Sequence, residues 1–383
     1  MDKRIAFYRQ IVAKKYHITA PHEAKIPKDD GSFRIVYVND DLDRIFLSIV
    51  NDLLFETCKD MIHKNCVSYQ TGIGCGKIVK RLAEQIPAIK NETIGVKIDL
   101  SKYFDSVPVS YIDKVFDQIE QRVGTSVILD ITREYYHNNH VLDLDKNMIE
   151  KYSSLKQGCA VASFLADSVL YDIDQTISSM NVIYVRYSDD ILILGNDWEI
   201  GYDTLKTMLN ERSLTINPKK VEILTHNKWF KFLGFNLKDN KITLSASRIK
   251  SFQKEIEKRT IHSHTNDLDT IEKRVNRYLY YGTGDYSWAT SVLPVINCEP
   301  DIHTLNLFVM DAIRAAAIGK KNIGGIGSRT NDPEKTIFRG KGKNVKRNMQ
   351  IIPNLTHYMS LKCMQNAMRT NMNAYTTLVR SII

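Results

Sequence analysis

VIYVRYSDDILILG, residues 182–195, decides how this chain is read. A β-rich run, residues 182–187, enters Ser188-Asp189-Asp190, and an apolar run, residues 191–194, leaves it. Two such runs split by so short a polar stretch predict a tight hairpin. Acidic side chains at the tip of a buried hairpin are costly unless a cation sits beside them. A metal ion would supply that charge. A turn that uses Asp for its own backbone hydrogen bonds is the other reading, and the hairpin alone leaves both open.

Two upstream segments bear on that choice. VKIDLSKYFDSV, residues 96–107, is an apolar strand that ends on Asp99 and leads through a short turn into a helix. Sites tend to be built at the C-terminal ends of buried strands. Two strand ends that each present Asp could lie side by side in one sheet, and hard oxygen ligands on two segments suit a pair of Mg²⁺ ions. Between them lies SSLKQGCAVASFLAD, residues 153–167, where Gln157-Gly158 precedes the small residues Cys159, Ala160, Ala162 and Ser163. Small side chains entering a helix allow close approach by a ligand or by a neighbouring backbone. A tightly packed helix start is the alternative.

The remaining chain predicts an α+β front and a mainly helical rear. Residues 1–16 read as a short amphipathic helix and Phe33 to Val38 as a strand after the Asp29-Asp30-Gly31 turn. Residues 41–63 carry apolar side chains at helical spacing. Pro108 opens a helix to about Arg122, and residues 141–151 form a hairpin. Residues 160–179 read as one apolar helix, followed after the 182–194 hairpin by a helix near 199–212. Short strands are expected at 221–224, 230–235 and 241–244, then helices from Ser245 with one basic, Gly-rich break at 319–347.

The order of a strand-end Asp, a Gln-Gly helix and a Tyr-x-Asp-Asp hairpin resembles the palm of reverse transcriptases. LTINPKKVEIL (214–224) is similar to the next palm motif, and WFKFLGFNL (229–237) to the hairpin that grips the primer. IPKDDGSFRIVYV (26–38) resembles the fingers motif, and SYQTGIGCGKIVKRLAE (68–84) the Gly-rich segment of the bacterial enzymes. The resemblance covers about residues 26–237. It implies a right-hand polymerase of the α+β class with an antiparallel palm sheet. Residues 1–93 would form the N-terminal part of the fingers, and residues 94–240 the palm with the remaining fingers elements. A helical thumb (241–290) and a basic helical extension (291–383) would follow.

By the same resemblance Asp99, Asp189 and Asp190 would be catalytic and hold two Mg²⁺ ions, or Mn²⁺ in their place. Lys28 and Arg34 would reach the triphosphate, and Gln157 and Gly158 would touch the incoming nucleotide and the templating base. Phe104 would be a steric gate favouring dNTPs; a core Phe is the alternative. Lys220 would be a proton donor to pyrophosphate, or a plain surface lysine. Phe232, Leu233 and Gly234 would form the primer grip, and Tyr187 and Ser188 would lie near the primer terminus. This chain departs from the family pattern at Lys156, where Pro is usual, and at Ala162-Ser163, where Ser-Pro is usual. It also has Ser188 where retron and intron enzymes more often have Ala. It looks most like the defence-associated, unknown-group enzymes, which act against phage and often work with a neighbouring non-coding RNA.

Composition adds partners rather than chemistry. The chain has 383 residues, with 43% hydrophobic and 25% charged, an ordinary globular balance that excludes collagen-like and disordered classes. Residues 1–240 hold 31 Lys+Arg against 33 Asp+Glu, whereas residues 241–383 hold 22 against 11. All the excess positive charge therefore lies in the rear, which points to a polyanion partner. Arg274 and Arg277, three apart on a helix, are interleaved with tyrosines that either meet sugars and bases or pack a helical bundle. Lys341, Lys343, Lys346 and Arg347 belong to the basic segment, a structured-RNA contact or a solvated loop. The start carries no apolar core of signal-peptide length, no run is apolar enough for a membrane span, and the six cysteines contain no CxxC pair, so a cytoplasmic protein with free thiols is expected. Gly72, Gly74, Gly76 and Lys77 lack the spacing of a phosphate loop. The implied partners are an RNA template, a structured non-coding RNA, dNTPs and a cDNA product, with no membrane; the oligomeric state is left open. A non-catalytic RNA-binding or splicing factor on the same fold, and a template-independent or protein-primed DNA polymerase, are the alternative functions.

Overall fold

The structure, a computed structural model, describes residues 3–28, 31–70, 72–282, 287–324, 337–338, 350–351 and 353–382. In chain order the first elements are α1 (Lys3–Val12), β1 (His22–Pro27), β2 (Phe33–Val38), α2 (Asp41–Thr57), α3 (Cys75–Gln85), β3 (Thr93–Asp99) and α4 (Tyr103–Ser106). They continue as α5 (Val109–Val123), α6 (Val127–His137), β4 (His140–Leu142), β5 (Met148–Glu150), α7 (Ala162–Ser168), α8 (Tyr171–Ser178), β6 (Ile183–Tyr187), β7 (Asp190–Leu194), α9 (Trp198–Asn210) and β8 (Glu222–Thr225). Then come β9 (Phe230–Phe232), β10 (Phe235–Lys238), β11 (Lys241–Leu244), α10 (Ala246–Arg259), α11 (Leu268–Asn276), α12 (Trp288–Val292), α13 (Glu299–Ala317), the short strands β12 (Ile337–Phe338) and β13 (Gln350–Ile351), α14 (Leu361–Thr370) and α15 (Met372–Ser381). The chain divides into two compact units, Met1–Ile73 with Ile89–Thr225, and Gly74–Ala88 with His226–Ile383.

The first unit is built on an antiparallel sheet of order β6-β7-β3-β8. Alternation along β3 sorts its two faces. Ile94, Val96 and Ile98 are buried, while Lys97 and Asp99 on the other face are only half-buried. Val96, Ile98, Ile191 and Ile193 join Phe116, Phe164, Ile173 and Leu205 of α5, α7, α8 and α9 in one core. Burying each such side chain stabilises the fold by roughly 1.5–3 kcal/mol relative to exposure. A second sheet, β2-β1-β4-β5, carries the β1–β2 hairpin in which Ile26 faces Arg34.

Two expectations fail in detail. The single helix expected over 160–179 is two helices, α7 and α8. Leu170 leaves the helical conformation (φ −104°, ψ 13°). The carbonyls of Ala166, Asp167 and Val169 accept hydrogen bonds from Arg186 and Arg212. Guanidinium groups from distant segments thus occupy acceptors at the break, which apolar periodicity cannot register. The strand expected over 230–235 is likewise broken: β9 and β10 are antiparallel partners around Leu233 (φ 49°) and Gly234 (φ 80°).

The second unit pairs the sheet β11-β10-β9 with helices α10–α15 and α3. Its core includes Phe252, Ile271, Val275, Val309, Ile313 and Met364. Glu272, fully buried, accepts the backbone amides of His357 and Tyr358, which satisfies the charge that burial would otherwise penalise. Gly76 of α3 has a packing reason, since a Cβ there would come within 2.4 Å of Val295 Cγ2. Among the described residues no helix is long and apolar enough to cross a membrane.

Candidate active site

The sheet register brings the carboxylates together. Asp99 ends β3 and Asp190 begins β7, and the two are direct cross-strand partners. The Leu100 amide donates to the Asp189 carbonyl at 3.0 Å, which makes Asp99–Asp190 a non-hydrogen-bonded pair, the closer of the two antiparallel spacings. Partners in register project from the same face, so both carboxylates share one side of the sheet. Ser188 and Asp189 form the two-residue loop of the β6–β7 hairpin, with Tyr187 paired to Asp190. Ser188 is left-handed (φ 57°), as such loops require of a central residue.

Three acids so close repel one another. Burial, then the charge on Asp99, raises the Asp189 carboxyl above the ordinary range. Burial pushes Asp190 up to about 6, partly offset by Lys97, with Asp189 and Asp99 adding to the rise. Two lysines meet this negative charge. Lys220 donates to Asp99 Oδ2 at 2.7 Å, and Lys97 lies 3.8 Å from Asp190 Oδ1. That Oδ1 atom is buried and has no hydrogen-bond partner. The charge of Arg34 also acts on Asp189.

This donor set fits a divalent cation. Among the described residues no three His, Cys, Asp or Glu side chains converge as a finished metal shell. Mg²⁺ is usually held by one or two carboxylates, with waters and substrate phosphates completing its octahedron. An orphaned oxygen on Asp190, with the carboxyls of Asp189 and Asp190 both raised, is the environment such an ion relieves.

The other expected residues fall as follows. Phe104 in α4 packs partly against the core, edge-on to Tyr103 with ring centroids 5.7 Å apart. The Gln157 carbonyl accepts the Tyr37 amide of β2 at 2.7 Å, and a Cβ on Gly158 (φ 107°) would lie 2.6 Å from the Tyr37 carbonyl oxygen. The Gln-Gly segment therefore lies against the strand that carries Arg34, and only glycine allows the approach. Lys156 explains one departure from the family pattern. It is left-handed (φ 54°), a conformation closed to proline. Its buried ammonium donates to the carbonyls of Tyr135 (2.6 Å) and Asn138 (2.7 Å), at the C-terminal end of α6, and burial lowers its pKa to about 8. Lys28 is exposed in the β1–β2 turn.

Phe232, Leu233 and Gly234 form the β9–β10 turn of the second unit, where Phe232 is fully buried. Arg274 and Arg277 are both exposed along α11 and the π-helical turn after it. Tyr280 is buried with its hydroxyl on the Met359 carbonyl, Tyr278 lies under Arg259 at 3.9 Å, and Trp288 packs at a tilt against Phe252 with ring centroids 4.5 Å apart. Most of these aromatics pack the bundle. Lys341, Lys343, Lys346 and Arg347 lie outside the described residues.

Sequence reasoning missed the support beneath the acids. Arg186, fully buried in β6, donates from Nε to Asp174 Oδ1 (2.7 Å) and from Nη2 to Asp174 Oδ2 (2.6 Å). It also donates to the Ser188 carbonyl at 3.3 Å. The signal was present: an arginine inside a buried apolar strand demands a buried partner. Lys97 had a signal too, lying two residues before Asp99 and so on its face.

The antiparallel sheet that sets acids at a strand end against acids at a facing hairpin has the layout that the resemblance to a polymerase palm implied. The chain matches the family described as reverse transcriptase (RNA-dependent DNA polymerase) over residues 26–237, and it belongs to that family. It is similar to the retron Ec48 reverse transcriptase of Escherichia coli, with 24% identity over 221 residues, 52% of this chain and 48% of that protein. The chain thus spans about half the length of the curated relative it matches. Among solved structures it is similar to Candida albicans telomerase in complex with a TWJ fragment of telomeric RNA (13% identity, TM-score 0.45, covering 82% of this chain and 65% of that one). It is also similar to apo telomerase of Candida tropicalis (11% identity, TM-score 0.47, covering 78% and 56%).

Proposed function

We propose that this chain is an RNA-directed DNA polymerase that makes cDNA, working in anti-phage defence with an associated non-coding RNA. The observation that carries the polymerase reading is the register pairing Asp99 with Asp190 beside the Asp189 turn. The defence role rests on the likeness to a retron enzyme and is the finer part of the proposal. Asp99, Asp189 and Asp190 would hold two Mg²⁺ ions. When bound, these supply the positive charge that stabilises an attacking 3′-hydroxyl and a leaving pyrophosphate. The residues of the chain do the rest. Arg34, whose charge acts on Asp189, would take the triphosphate by charge-assisted hydrogen bonds, and Lys28 would join it from the β1–β2 turn. Gln157 and Gly158, packed against the strand that carries Arg34, would touch the incoming nucleotide and the templating base. Lys220, already bonded to Asp99, would hold a proton for the departing pyrophosphate. Fingers, palm, thumb and extension would divide at residues 93, 240 and 290, with Phe232, Leu233 and Gly234 gripping the primer.

The direct test is Mg²⁺-dependent dNTP incorporation on a primed homopolymer RNA, followed by sequencing of the RNA and DNA that co-purify with the protein. One RNA with its complementary DNA is expected; no incorporation on any primed template would overturn the reading. Phe104 gives a second test. Phe104→Ala should lower the preference for dNTPs over rNTPs by on the order of 10- to 100-fold, read as the ratio of kcat/KM values. Unchanged sugar selectivity would return Phe104 to a packing role. The basic segment gives a third. Neutralising Lys341, Lys343, Lys346 and Arg347 together should weaken RNA binding and flatten the slope of log affinity against log salt by about 3–4. A filter-binding titration with the wild-type slope would remove these residues from the footprint.

A further inference from the structure

Residues 65–69 lead into the Gly-rich segment, with Ser68 and Tyr69 as its first two residues. They run beside the outer edge of β6. The Arg186 amide donates to the Asn65 carbonyl and the Val67 amide to the Arg186 carbonyl, both at 2.9 Å, in a parallel bridge centred on Cys66. The next two residues place hydroxyl groups on the catalytic turn. The Ser188 amide donates to Ser68 Oγ at 2.9 Å, and Ser68 Oγ donates to Asp167 Oδ1 at 2.5 Å. Tyr69 donates its phenol to Ser188 Oγ at 3.2 Å, and its ring lies 6.1 Å from that of Tyr187. Arg186 takes the Ser188 carbonyl. Every polar group of Ser188 is therefore engaged, while Ser68, Asp167 and Arg186 are all fully buried. Asp189 is fixed from its other side by the Leu100 amide.

We propose that Ser68 and Tyr69 are positioning residues that latch the left-handed Ser188 and so set where the Asp189 carboxylate points. The latch gives Ser188 a reason to be serine. Alanine keeps the amide bond to Ser68 but loses the arm to Tyr69. Left-handed backbone at a non-glycine residue is disfavoured, so the turn needs outside bonds to stay in that conformation. A turn loosened by one bond spends less of its time with Asp189 in the productive position. That lowers turnover without touching the surface that receives the nucleotide.

The catalytic arm of the test rests on the polymerase reading, so a second arm is independent of it. In steady-state primer extension, Tyr69→Phe and Ser188→Ala should each lower kcat about fivefold with KM for dNTP held within twofold. The double variant should lose no more than either single one, because both remove the same bond. Independent, multiplying losses, or a Tyr69→Phe enzyme with wild-type kcat, would overturn the latch. The second arm is hydrogen exchange of the peptide spanning residues 186–190 in the absence of nucleic acid and metal. Ser68→Ala should speed exchange of the Ser188 amide by at least tenfold, and Ser68→Thr, which keeps a hydroxyl, should restore protection. Exchange unaltered by Ser68→Ala would sink the proposal even if the enzyme synthesises DNA. Altered exchange in a protein that makes no DNA would keep the latch and discard the polymerase reading.

Discussion

Asp189→Asn is expected to lower metal-dependent dNTP incorporation by on the order of 10³-fold. The carboxamide keeps the shape of the side chain and removes the charge that a divalent cation requires. The same change should not weaken the fold. In the folded protein burial and the neighbouring Asp99 raise the Asp189 carboxyl, so its ionised form is disfavoured relative to the unfolded chain. A carboxyl whose folded pKa is raised contributes stability below its unfolded pKa and loses it as pH rises through the folded value. At pH 7 that stability is gone and the charge is a liability. Asp190, raised to about 6, behaves the same way, so the metal-free protein should lose stability between about pH 4 and pH 6 on account of these acids. Asp190→Asn should therefore raise metal-free stability at neutral pH by on the order of 1–3 kcal/mol while it removes activity. Thermal unfolding in chelator, beside primer extension in Mg²⁺, checks both halves. A variant that extends primers normally would remove Asp189 from the chemistry, and one that unfolds earlier would show that the acids stabilise the turn.

The largest effect on stability should come from Arg186→Met. Methionine fills much the same space but leaves Asp174 and Asp167 buried with no cation, and breaking a buried pair from one side costs about 3–5 kcal/mol. For a unit of this size that is a fall in Tm on the order of 10 °C. The pair joins β6 to α7 and α8, so the loss also frees the carbonyls of Ala166, Asp167 and Ser188. Removing the charge from both sides, as in Arg186→Met with Asp174→Asn, should recover part of the loss, because no ion is then stranded at that pair. Urea unfolding of the three proteins measures this. A single Arg186→Met change below about 1 kcal/mol would mean that solvent reaches the pair.

The contrast between Asp99 and Arg186 shows how far the residues alone can be read. Asp99, Asp189 and Asp190 were legible as candidates because each stands where an apolar alternation stops, and alternation is a property of a few adjacent residues. The Gln157-Gly158 step and the β6–β7 hairpin were legible for the same local reason, whereas the β9–β10 hairpin followed only from the family resemblance and not from the alternation over 230–235. Lys220 could be only a candidate, because its bond to Asp99 spans 121 residues. Arg186 was visible as a charge in a buried strand, yet its partner could not be named. The break between α7 and α8 was hidden because the guanidinium groups that bond its carbonyls come from β6 and from the end of α9. Lys156 read as a departure from a pattern until its ammonium was found on the carbonyls at the end of α6. The sequence by itself determined which strands end in acids and which face of each is apolar, since side-chain period and turn chemistry act within a few residues. Only the tertiary structure decided that those ends meet in register, which lysines face them, and that Ser68, Tyr69 and Arg186 hold the turn between them. Buried polar groups must find partners, and packing, not spacing along the chain, settles which partners they find.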